Sequence, residues 1–312
     1  MKRSDMQKAA QPFVSALICT RNRPDKIGNA IESVLANAYP NFDVTIVDQS
    51  TNDETEAVVR RISQLDERAH YRRMNISGLS RARNLGIAST TGPIIAFTDD
   101  DCLVPTDWIE KIVAAFDEQR DGELMYGQVF PAYPENDGAA LTPSLRIDKP
   151  ERIDRISGYR VFGMGANFAA RRSLFERAGT FDEALGAGGR LKASEDFDLA
   201  YRAYRSNSVI LLRPEVTVRH DGRREREEWP ALLQSYGVGD GAFYLKHVRC
   251  RDPYFTWLAA KTFAYAGAKF VVKTILGRRP AEIHYFSGVV QGVRGGLKCG
   301  VDRATLLYIE KN

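Results

Sequence analysis

The stretch GPIIAFTDDDCLV, residues Gly92 to Val104, joins an apolar run to three consecutive aspartates. The run from Pro93 to Phe97 is short and uniformly apolar, which is typical of a strand buried on both faces of a parallel sheet. Asp99, Asp100 and Asp101 follow, and adjacent carboxylates repel one another unless cations or hydrogen-bond donors lie between them. Since Mg²⁺ and Mn²⁺ prefer oxygen ligands, the stretch predicts either a divalent-metal site or an acidic, solvated loop before the next helix.

The chain before this stretch alternates strand patterns with helical patterns. Strand-like runs at Phe13 to Thr20 and Phe42 to Val47 are each followed by apolar residues at helical spacing. A further helix, within GLSRARNLGIAST, leads into the aspartate-bearing strand. Such alternation favours an α/β fold with a mostly parallel sheet, flanked by helices, whose ligand site lies at the carboxyl ends of the strands. We therefore expect the polar clusters at Arg21, Asp48 and Asp99 to meet.

Composition and charge set broad limits. With 312 residues, 44% of them hydrophobic, the chain is long enough to bury a substantial core. The net charge of +4 is uneven, because Tyr244 to Asn312 contains twelve Lys or Arg residues and four Asp or Glu residues. The four cysteines form no CxxC pair, which indicates neither a disulfide framework nor a zinc site and favours a reducing compartment. The polar start does not match a signal peptide, so we expect a cytoplasmic protein.

Nucleotide binding is possible without a glycine-rich phosphate loop. No Gly-x-Gly-x-x-Gly or P-loop motif opens the predicted helices, so neither a dinucleotide fold nor a nucleoside triphosphatase is favoured. Asp48 can accept hydrogen bonds from a base or a ribose. Four arginines near strand ends can neutralise phosphate: Arg21, Arg23, Arg81 and Arg83. For each of them taken separately, an ordinary surface position is the simpler interpretation, and only their shared placement beside strand ends favours the nucleotide.

A second pair of carboxylates, Glu195 and Asp196, follows the glycine-containing segment Gly186 to Gly189 and begins a predicted helix. The helix dipole stabilises a carboxylate at this end, and a plain helix cap is the simplest interpretation. Further on, Ser208 to His220 predicts a strand pair or a bent strand. A lone histidine at its end is more often structural than functional, so the residues alone leave its role open.

Several segments resemble the family 2 glycosyltransferases of the GT-A fold. In order they are TRNRP, VDQSTNDET, GLSRARNLGIASTTG, FTDDDCLVPTDWIE, GANFAARRSLFERAGTFDE and SEDFDLAYR, and they cover Phe13 to Asp221. The resemblance implies a Rossmann-like sheet and transfer of a sugar from a nucleotide-diphosphate donor to a hydroxyl of a glycan or lipid-linked acceptor, as in cell-envelope or polysaccharide biosynthesis. We expect a disordered tail over residues 1–11, a catalytic domain over 12–228 and a basic helical extension over 229–312.

The resemblance also implies roles for individual residues. The family's Asp-x-Asp motif matches Asp99 and Asp101, so Mg²⁺ or Mn²⁺ is expected on these residues, with His220 as a further metal or diphosphate contact. Asp196, with Glu195 beside it, is expected to be the general base in a single in-line displacement with inversion. The residues implied for nucleotide-sugar binding are Thr20, Arg21, Asn22, Arg23, Asp48, Ser50, Arg83, Asp99 and Asp100. Those implied to face the donor sugar and acceptor are Gly165, Ala166 and Asn167.

Beyond the catalytic region the resemblance fades, and the tail is interpreted from its residues alone. Thr256 to Leu276 is helix-like and apolar, but Lys261, Lys269 and Lys273 interrupt it, so we expect no membrane-spanning helix. The lysines fall within an arc of about 120°. The apolar residues on the opposite side are Trp257, Phe263, Phe270, Val271 and Ile275. This helix can lie on an anionic membrane at the inner face of the plasma membrane, or it can pack on the catalytic domain in a hairpin with Tyr285 to Leu297.

Two other functions compete with the transferase. A non-catalytic sugar-nucleotide or glycan-binding module on the same fold is the main alternative, and Asp101 together with Asp196 argues against it, since a decayed copy would lose one of them. A nucleotidyltransferase needs a glycine-rich phosphate loop, which CTRNRPDK lacks. Without a nucleic-acid-binding motif, the basic tail does not predict a nucleic-acid partner. The base is left open, since Asp48 can pair with uracil, thymine or guanine.

Overall fold

A computed structural model describes residues 11–133, 140–160, 163–276 and 282–309, so most of the expected N-terminal tail lies outside the described residues. The strands in the described ranges are β1 (Val14–Thr20), β2 (Phe42–Asp48), β3 (Ala69–Arg73), β4 (Ile94–Asp99), β5 (Cys102–Leu103), β6 (Gly122–Pro131), β7 (Ala140–Leu141), β8 (Glu151–Ile153), β9 (Asn167–Arg171), β10 (Val209–His220), β11 (Arg224–Glu225), β12 (Gly300–Asp302) and β13 (Leu307–Ile309). The α-helices are α1 (Pro24–Leu35), α2 (Glu54–Leu65), α3 (Leu79–Ser89), α4 (Trp108–Glu118), α5 (Arg172–Ala178), α6 (Glu195–Arg205), α7 (Trp229–Arg249), α8 (Pro253–Ile275) and α9 (Glu282–Leu297).

A nine-stranded sheet forms the centre of the molecule, in the order β3-β2-β1-β4-β9-β6-β10-β5, with β8 also paired to β10. The first four strands in this order are parallel, as the alternation predicts. β9 is antiparallel to both of its neighbours, while β6 and β10 are parallel to each other. The expectation of a mostly parallel sheet flanked by helices is therefore confirmed, with an antiparallel strand at its centre.

The register of the parallel strands fixes where the polar clusters lie. Thr20 at the end of β1 pairs with Asp48 at the end of β2, and Cys19 pairs with Asp99 at the end of β4. The carboxyl ends of three strands therefore share one edge of the sheet. His220 ends β10, a single bent strand whose register with β6 shifts between Arg213 and Thr217.

Both faces of the sheet are covered, which explains why its strands are uniformly apolar. One core cluster joins Ile18 of β1 to residues of α1, α2 and α4, such as Ile27. A second cluster joins Phe97 of β4 to residues of α5 and α6. This second cluster also contains Phe243 of α7 and Phe255 of α8, so the C-terminal helices pack directly on the core of the catalytic region.

The C-terminal helices differ from the expected hairpin of α8 and α9. α9 packs most extensively against α7, because glycines bring the two backbones together. A Cβ atom at Gly241 of α7 would lie 2.3 Å from the carbonyl oxygen of Val289, and one at Gly292 of α9 would lie 2.0 Å from that of Val238. Sequence analysis overlooked this glycine spacing. None of the helices in the described ranges is long and apolar enough to cross a membrane.

Candidate active site

A cleft of about 730 Å³ opens at the sheet edge where β1 and β4 end. The residues that line it from the β1 and β4 ends are Cys19, Thr20, Arg21, Arg23, Asp99, Asp100 and Asp101. Loop residues on the other side include Gly165, Ala166, Gly188, Lys192 and Glu195. His220, Arg224, Leu232, Ser235 and Tyr236 add a further wall. The cleft thus brings Glu195 together with the aspartate run, almost one hundred residues away in sequence, whereas Asp196 is not among the described residues that line it.

The aspartate run is held by donors from the loop after β1. Thr20 Oγ1 donates a hydrogen bond of 2.8 Å to Asp100 Oδ2. Arg23 Nη1 donates bonds of 2.8 Å to Asp100 Oδ1 and 2.6 Å to Asp101 Oδ2. Burial raises the pKa of Asp100 to about 6, although the Arg23 charge opposes that shift. The cationic partner that three adjacent carboxylates require is therefore present in the chain itself.

Asp101 also faces His220 across the cleft. The distance from His220 Nε2 to Asp101 Oδ1 is 3.3 Å. Burial alone would raise the pKa of Asp101, but the hydrogen bond and charge of His220, together with Arg23, lower it to about 2. Asp101 is consequently a carboxylate under all ordinary conditions.

The donor atoms of Asp101 and His220 suit a divalent cation. Among the described residues, one group of potential ligand atoms lies within 4.8 Å of one another, and it consists of Asp101, Cys102 and His220. Burial raises the pKa of the Cys102 thiol well above its usual value, and a protonated thiol is a poor ligand for Mg²⁺ or Mn²⁺. The carboxylate and imidazole fit such an ion. Asp99, expected as a further ligand, lies outside this group.

Arg83 of α3 connects the two carboxylate motifs. Its guanidinium is almost completely buried, and Nη1 donates a bond of 2.9 Å to Glu195 Oε1. Nη2 lies 3.5 Å from Asp99 Oδ1 and donates a bond of 3.0 Å to the carbonyl oxygen of Gly165. Arg83, expected to bind phosphate, thus contacts a carboxylate on each side of the cleft.

Glu195 and Asp196 form the first turn of α6, after Ser194 in a left-handed conformation with φ of 68°. Asp196 Oδ2 accepts a hydrogen bond of 3.0 Å from the Gly165 amide, and Oδ1 accepts one of 2.8 Å from the Phe197 amide. Burial, followed by the charge of Glu195, raises the pKa of Asp196 to about 7. Asp196 can therefore exchange a proton near neutral pH, as a general base must.

Three of the residues expected in the nucleotide site hold the strand ends together instead. The Asp48 side chain is fully buried, with Oδ1 accepting a bond of 2.7 Å from the Ser50 amide and Oδ2 one of 2.9 Å from the Tyr71 hydroxyl. The Asn22 amide donates to Ser50 Oγ at 2.7 Å, and Asn22 Oδ1 accepts from the Thr51 amide at 2.8 Å. Asn22, Asp48 and Ser50 are not among the described residues that line the cleft, and their roles stay predictions.

Asn167 also has internal partners. Its Oδ1 accepts a bond of 3.0 Å from Trp108 Nε1, and its Nδ2 donates to the carbonyl oxygens of Gln128 at 2.8 Å and Val216 at 3.1 Å. These bonds join β9 to its neighbour β6, to β10 beyond it, and to α4. Gly165 and Ala166, its expected partners in sugar binding, do line the cleft.

Sequence analysis did not identify several lining residues. Lys192 follows the glycine-containing segment, and Leu232, Ser235 and Tyr236 belong to the first half of α7. The local signal for α7 is its glycine spacing. The glycines indicate which face of α7 packs against other helices, and the remaining face is then available to line the cleft. Arg224 lines the cleft as well.

The fold and the cleft together define an enzyme of the GT-A class. A family model described as "Glycosyl transferase family 2" matches residues 15–179 of the chain. The protein belongs to glycosyl transferase family 2.

Among relatives, Glycosyltransferase AglE of Haloferax volcanii is 29% identical over 186 residues, which cover 57% of this chain and 59% of AglE. The chain thus spans less than two thirds of AglE. The Glucosyl-dolichyl phosphate glucuronosyltransferase of the same organism is 28% identical over 235 residues, which cover 70% of this chain and 72% of that enzyme.

Solved structures share the fold at low sequence identity. The mannosyltransferase PcManGT from Pyrobaculum calidifontis, in complex with GDP-Man and Mn²⁺, has a TM-score of 0.61 at 16% identity, with 92% of this chain and 87% of that chain covered. S. aureus TarS 1–349 in complex with UDP-GlcNAc has a TM-score of 0.61 at 16% identity, covering 90% and 81%. The expected GT-A fold is confirmed.

Proposed function

We propose that the protein is an inverting glycosyltransferase that moves a sugar from a nucleotide-diphosphate donor to a hydroxyl of a glycan or lipid-linked acceptor. The observation that carries this proposal is the pair of contacts made by Arg83, which holds Asp99 and Glu195 at one cleft. A donor-side motif and a base-side motif are thereby arranged around a common space. The family membership of the chain supports the same reaction class.

The donor half of the cleft is rich in cations. Arg21, Arg23, Lys192 and Arg224 all line it, and a diphosphate needs such charges to bind and to leave. Arg23 bonds to Asp100 and Asp101, so its charge is already placed at the aspartate motif. Arg21 and Lys192 have no carboxylate partner among the described residues, and they are the cations that we assign to the diphosphate of the donor.

Asp101 and His220 would hold Mg²⁺ or Mn²⁺, with Asp99 nearby. Such an ion, when bound, neutralises the charge that develops on a departing diphosphate. Mn²⁺ is present in the PcManGT structure and in a GalNAc-T7 structure of the same fold, which supports a divalent cofactor in the present protein.

Asp196 acts as the base in this proposal. Its carboxylate takes the proton of the acceptor hydroxyl while that oxygen bonds to the anomeric carbon and the bond from that carbon to the diphosphate oxygen breaks. The two backbone amides of Gly165 and Phe197 fix the plane of the carboxylate and leave a lone pair on each oxygen for the acceptor. A single base facing the leaving group from the other side of the sugar gives inversion.

The acceptor would enter along the wall made by Leu232, Ser235 and Tyr236 of α7. This wall combines an apolar side chain, a hydroxyl and an aromatic ring, which suits a sugar joined to a lipid. A relative named for dolichyl phosphate supports a lipid-linked acceptor. The protein would then work in the cytoplasm, at the inner face of the plasma membrane.

Calorimetric titration with UDP, dTDP and GDP, each with and without Mn²⁺, tests the donor site. We expect one nucleotide to bind in a metal-dependent manner, with binding lost in Asp101→Asn. Asp107→Asn is the matched control, because Asp107 is a half-exposed aspartate that pairs with Lys111 and is absent from the cleft lining. Failure of all three nucleotides to bind to folded protein would overturn the proposal and favour the non-catalytic module.

A further inference from the structure

α8 presents an apolar face that the other described elements leave uncovered. The large side chains on this face are Trp257, Tyr265, Val271, Val272 and Ile275. Their exposed fractions run from 52% at Val271 to 78% at Ile275. At about 100° per residue they lie within an arc of about 120°, along roughly 27 Å of helix. We call these five residues the α8 outer face.

The opposite side of the same helix is packed against the protein. Phe255 and Ala259 are buried in the second core cluster. The Phe263 ring lies 5.0 Å from that of Tyr244 on α7, and the Phe270 ring lies 5.6 Å from that of Phe286 on α9. The inner apolar residues therefore account for the packing of α8. The α8 outer face takes no part in the packing of the described elements. This arrangement differs from the one expected from the sequence, in which Phe263 and Phe270 lie on the same side of the helix as Trp257.

The charge along α8 is of one sign. Pro253–Ile275 contains three lysines and no Asp or Glu. The Lys261 ammonium lies 5.2 Å from the centre of the Trp257 ring, and Lys269 is exposed. Lys273 is the exception, since it pairs with Glu282. The α8 outer face consequently contains one cation, Lys261, and is bordered by a second, Lys269, without acidic residues on its own helix, so two copies of it would repel each other.

The inner side of α8 is connected to the cleft through α9. Phe270 contacts Phe286, and the carbonyl oxygen of the adjacent Tyr285 lies against Gly237 of α7. The residue before Gly237 is Tyr236, which lines the cleft. α8 is thus linked through α9 to the helix that supplies one wall of the cleft.

We propose that the α8 outer face docks on a bilayer that contains anionic lipid. An apolar helix face with flanking lysines lies in the plane of the interface, with its aromatic and aliphatic side chains at the acyl boundary and its ammonium groups among the phosphates. The lysines decide between a membrane and a second copy of this chain, because only the membrane supplies the opposite charge. The purpose of docking, to bring the cleft to a lipid-linked acceptor, rests on the proposed function, whereas the docking itself does not.

Flotation of the whole protein with vesicles tests this proposal. We expect binding to phosphatidylcholine vesicles that contain phosphatidylglycerol, weaker binding at high salt, and little binding to phosphatidylcholine alone. The double variant Val271→Asp/Ile275→Asp is expected to lose at least about tenfold in affinity. Leu65→Asp/Ile76→Asp is the matched control, because both residues are exposed and lie next to β3, the edge strand of the sheet, rather than next to α8. The control is expected to bind like the unaltered protein.

Three results would overturn the proposal: no binding of the unaltered protein to anionic vesicles, equal binding by the α8 variant, or equal losses in both double variants. A shift from dimer to monomer in the α8 variant, without vesicle binding by the parent, would assign the face to self-association. Nucleotide titration of the same proteins separates this proposal from the enzymatic one. Vesicle binding without nucleotide binding would leave the docking face standing and remove the transferase function.

Discussion

Ser194 Oγ donates a hydrogen bond of 2.7 Å to Asp240 Oδ1, and this bond joins the turn before the Glu195-Asp196 pair to α7. Ser194 has a φ of 68°, a left-handed conformation that costs a residue other than glycine about 1–2 kcal/mol. The Tyr285 hydroxyl of α9 donates to the other oxygen of Asp240 at 2.7 Å. The C-terminal helices α7 and α9 thus stabilise the unfavourable backbone conformation of Ser194, which precedes the proposed base Asp196.

Ser194→Ala should lower kcat by about tenfold to a hundredfold and leave the affinity for the donor nucleotide almost unchanged, because the base loses its position while the diphosphate site is intact. Initial rates over a range of donor concentrations measure the two parameters separately. Ser206→Ala, at the other end of α6, removes a serine hydroxyl whose partners are the carbonyl oxygen of Ala203 and the hydroxyl of Ser208, and it should be close to neutral. Equal effects of the two variants would show that Ser194 has no positioning role.

Asp196→Asn should reduce transfer at least about a hundredfold, because an amide cannot accept the proton of the acceptor hydroxyl. Nucleotide binding should persist, since Asp196 is not among the cations and aspartates assigned to the diphosphate and the metal. The release of nucleotide in the presence of acceptor measures transfer, and calorimetry measures binding. Glu183→Gln, at an exposed carboxylate that pairs with Arg81, is the control. Substantial turnover by Asp196→Asn would exclude Asp196 as the base.

The rate should depend on pH through Asp196. Its pKa is raised to about 7 by burial and by the charge of Glu195, so the reactive carboxylate is present above pH 7 and is lost by protonation below it. A plot of log kcat/KM against pH should therefore rise with a slope of one and level off near pH 7. Glu195→Gln removes a neighbouring negative charge and should shift the midpoint to lower pH. An unshifted midpoint would mean that another group controls the profile.

The close contact of α7 and α9 should be sensitive to a single methyl group. Gly241→Ala places a Cβ atom 2.3 Å from the Val289 carbonyl oxygen, which should force the helices apart at a cost of about 1–3 kcal/mol. Gly267→Ala on α8 meets no atom within 4 Å and should gain up to about 1 kcal/mol from helix propensity. Thermal unfolding of both variants should give opposite shifts in Tm. A shift in the same direction would contradict the packing described above.

Lys246 of α7 should be essential for stability. It is fully buried, and its Nζ lies 2.5 Å from Asp182 Oδ2 and 2.6 Å from Asp198 Oδ1. Lys246→Met would leave buried carboxylates without that cation, which typically costs about 3–5 kcal/mol. Urea unfolding provides the measurement, with Lys298→Met at an exposed lysine as the control. A loss no larger than that of the control would show that other groups, such as Arg202, compensate fully.

Features that depend on neighbouring residues in sequence were predictable. β1, β2 and β4 are short apolar runs that end in polar residues, and parallel strands bring such ends to one edge. This is why the clusters at Arg21, Asp48 and Asp99 could be expected at one edge of the sheet, where Thr20 also bonds to Asp100. The proximity of His220 to Asp101 agrees with the role that the family resemblance implies for this histidine.

Features that depend on distant partners were not predictable. β9 enters the sheet between β4 and β6, a pairing that local periodicity does not determine. Asp48 turns to the hydroxyl of Tyr71 on the neighbouring strand, and Asn167 turns to the indole of Trp108. In both cases, a polar side chain that is suited to bind a ligand forms hydrogen bonds with other residues of the protein. The cleft wall from α7 was overlooked because its position depends on helix packing.

The strand order β9-β6-β10 determines which fragments of the protein can fold. β6 lies between β9 and β10, and it pairs with β10 from Val209 to His220. A fragment that ended at residue 179, the limit of the family match, would expose the edge of β6 and lack α6. Because Phe243 and Phe255 pack in the same cluster as α6, the shortest fragment able to fold alone should extend beyond Phe255 into α8. Expression of the catalytic region without its C-terminal helices should therefore yield insoluble protein.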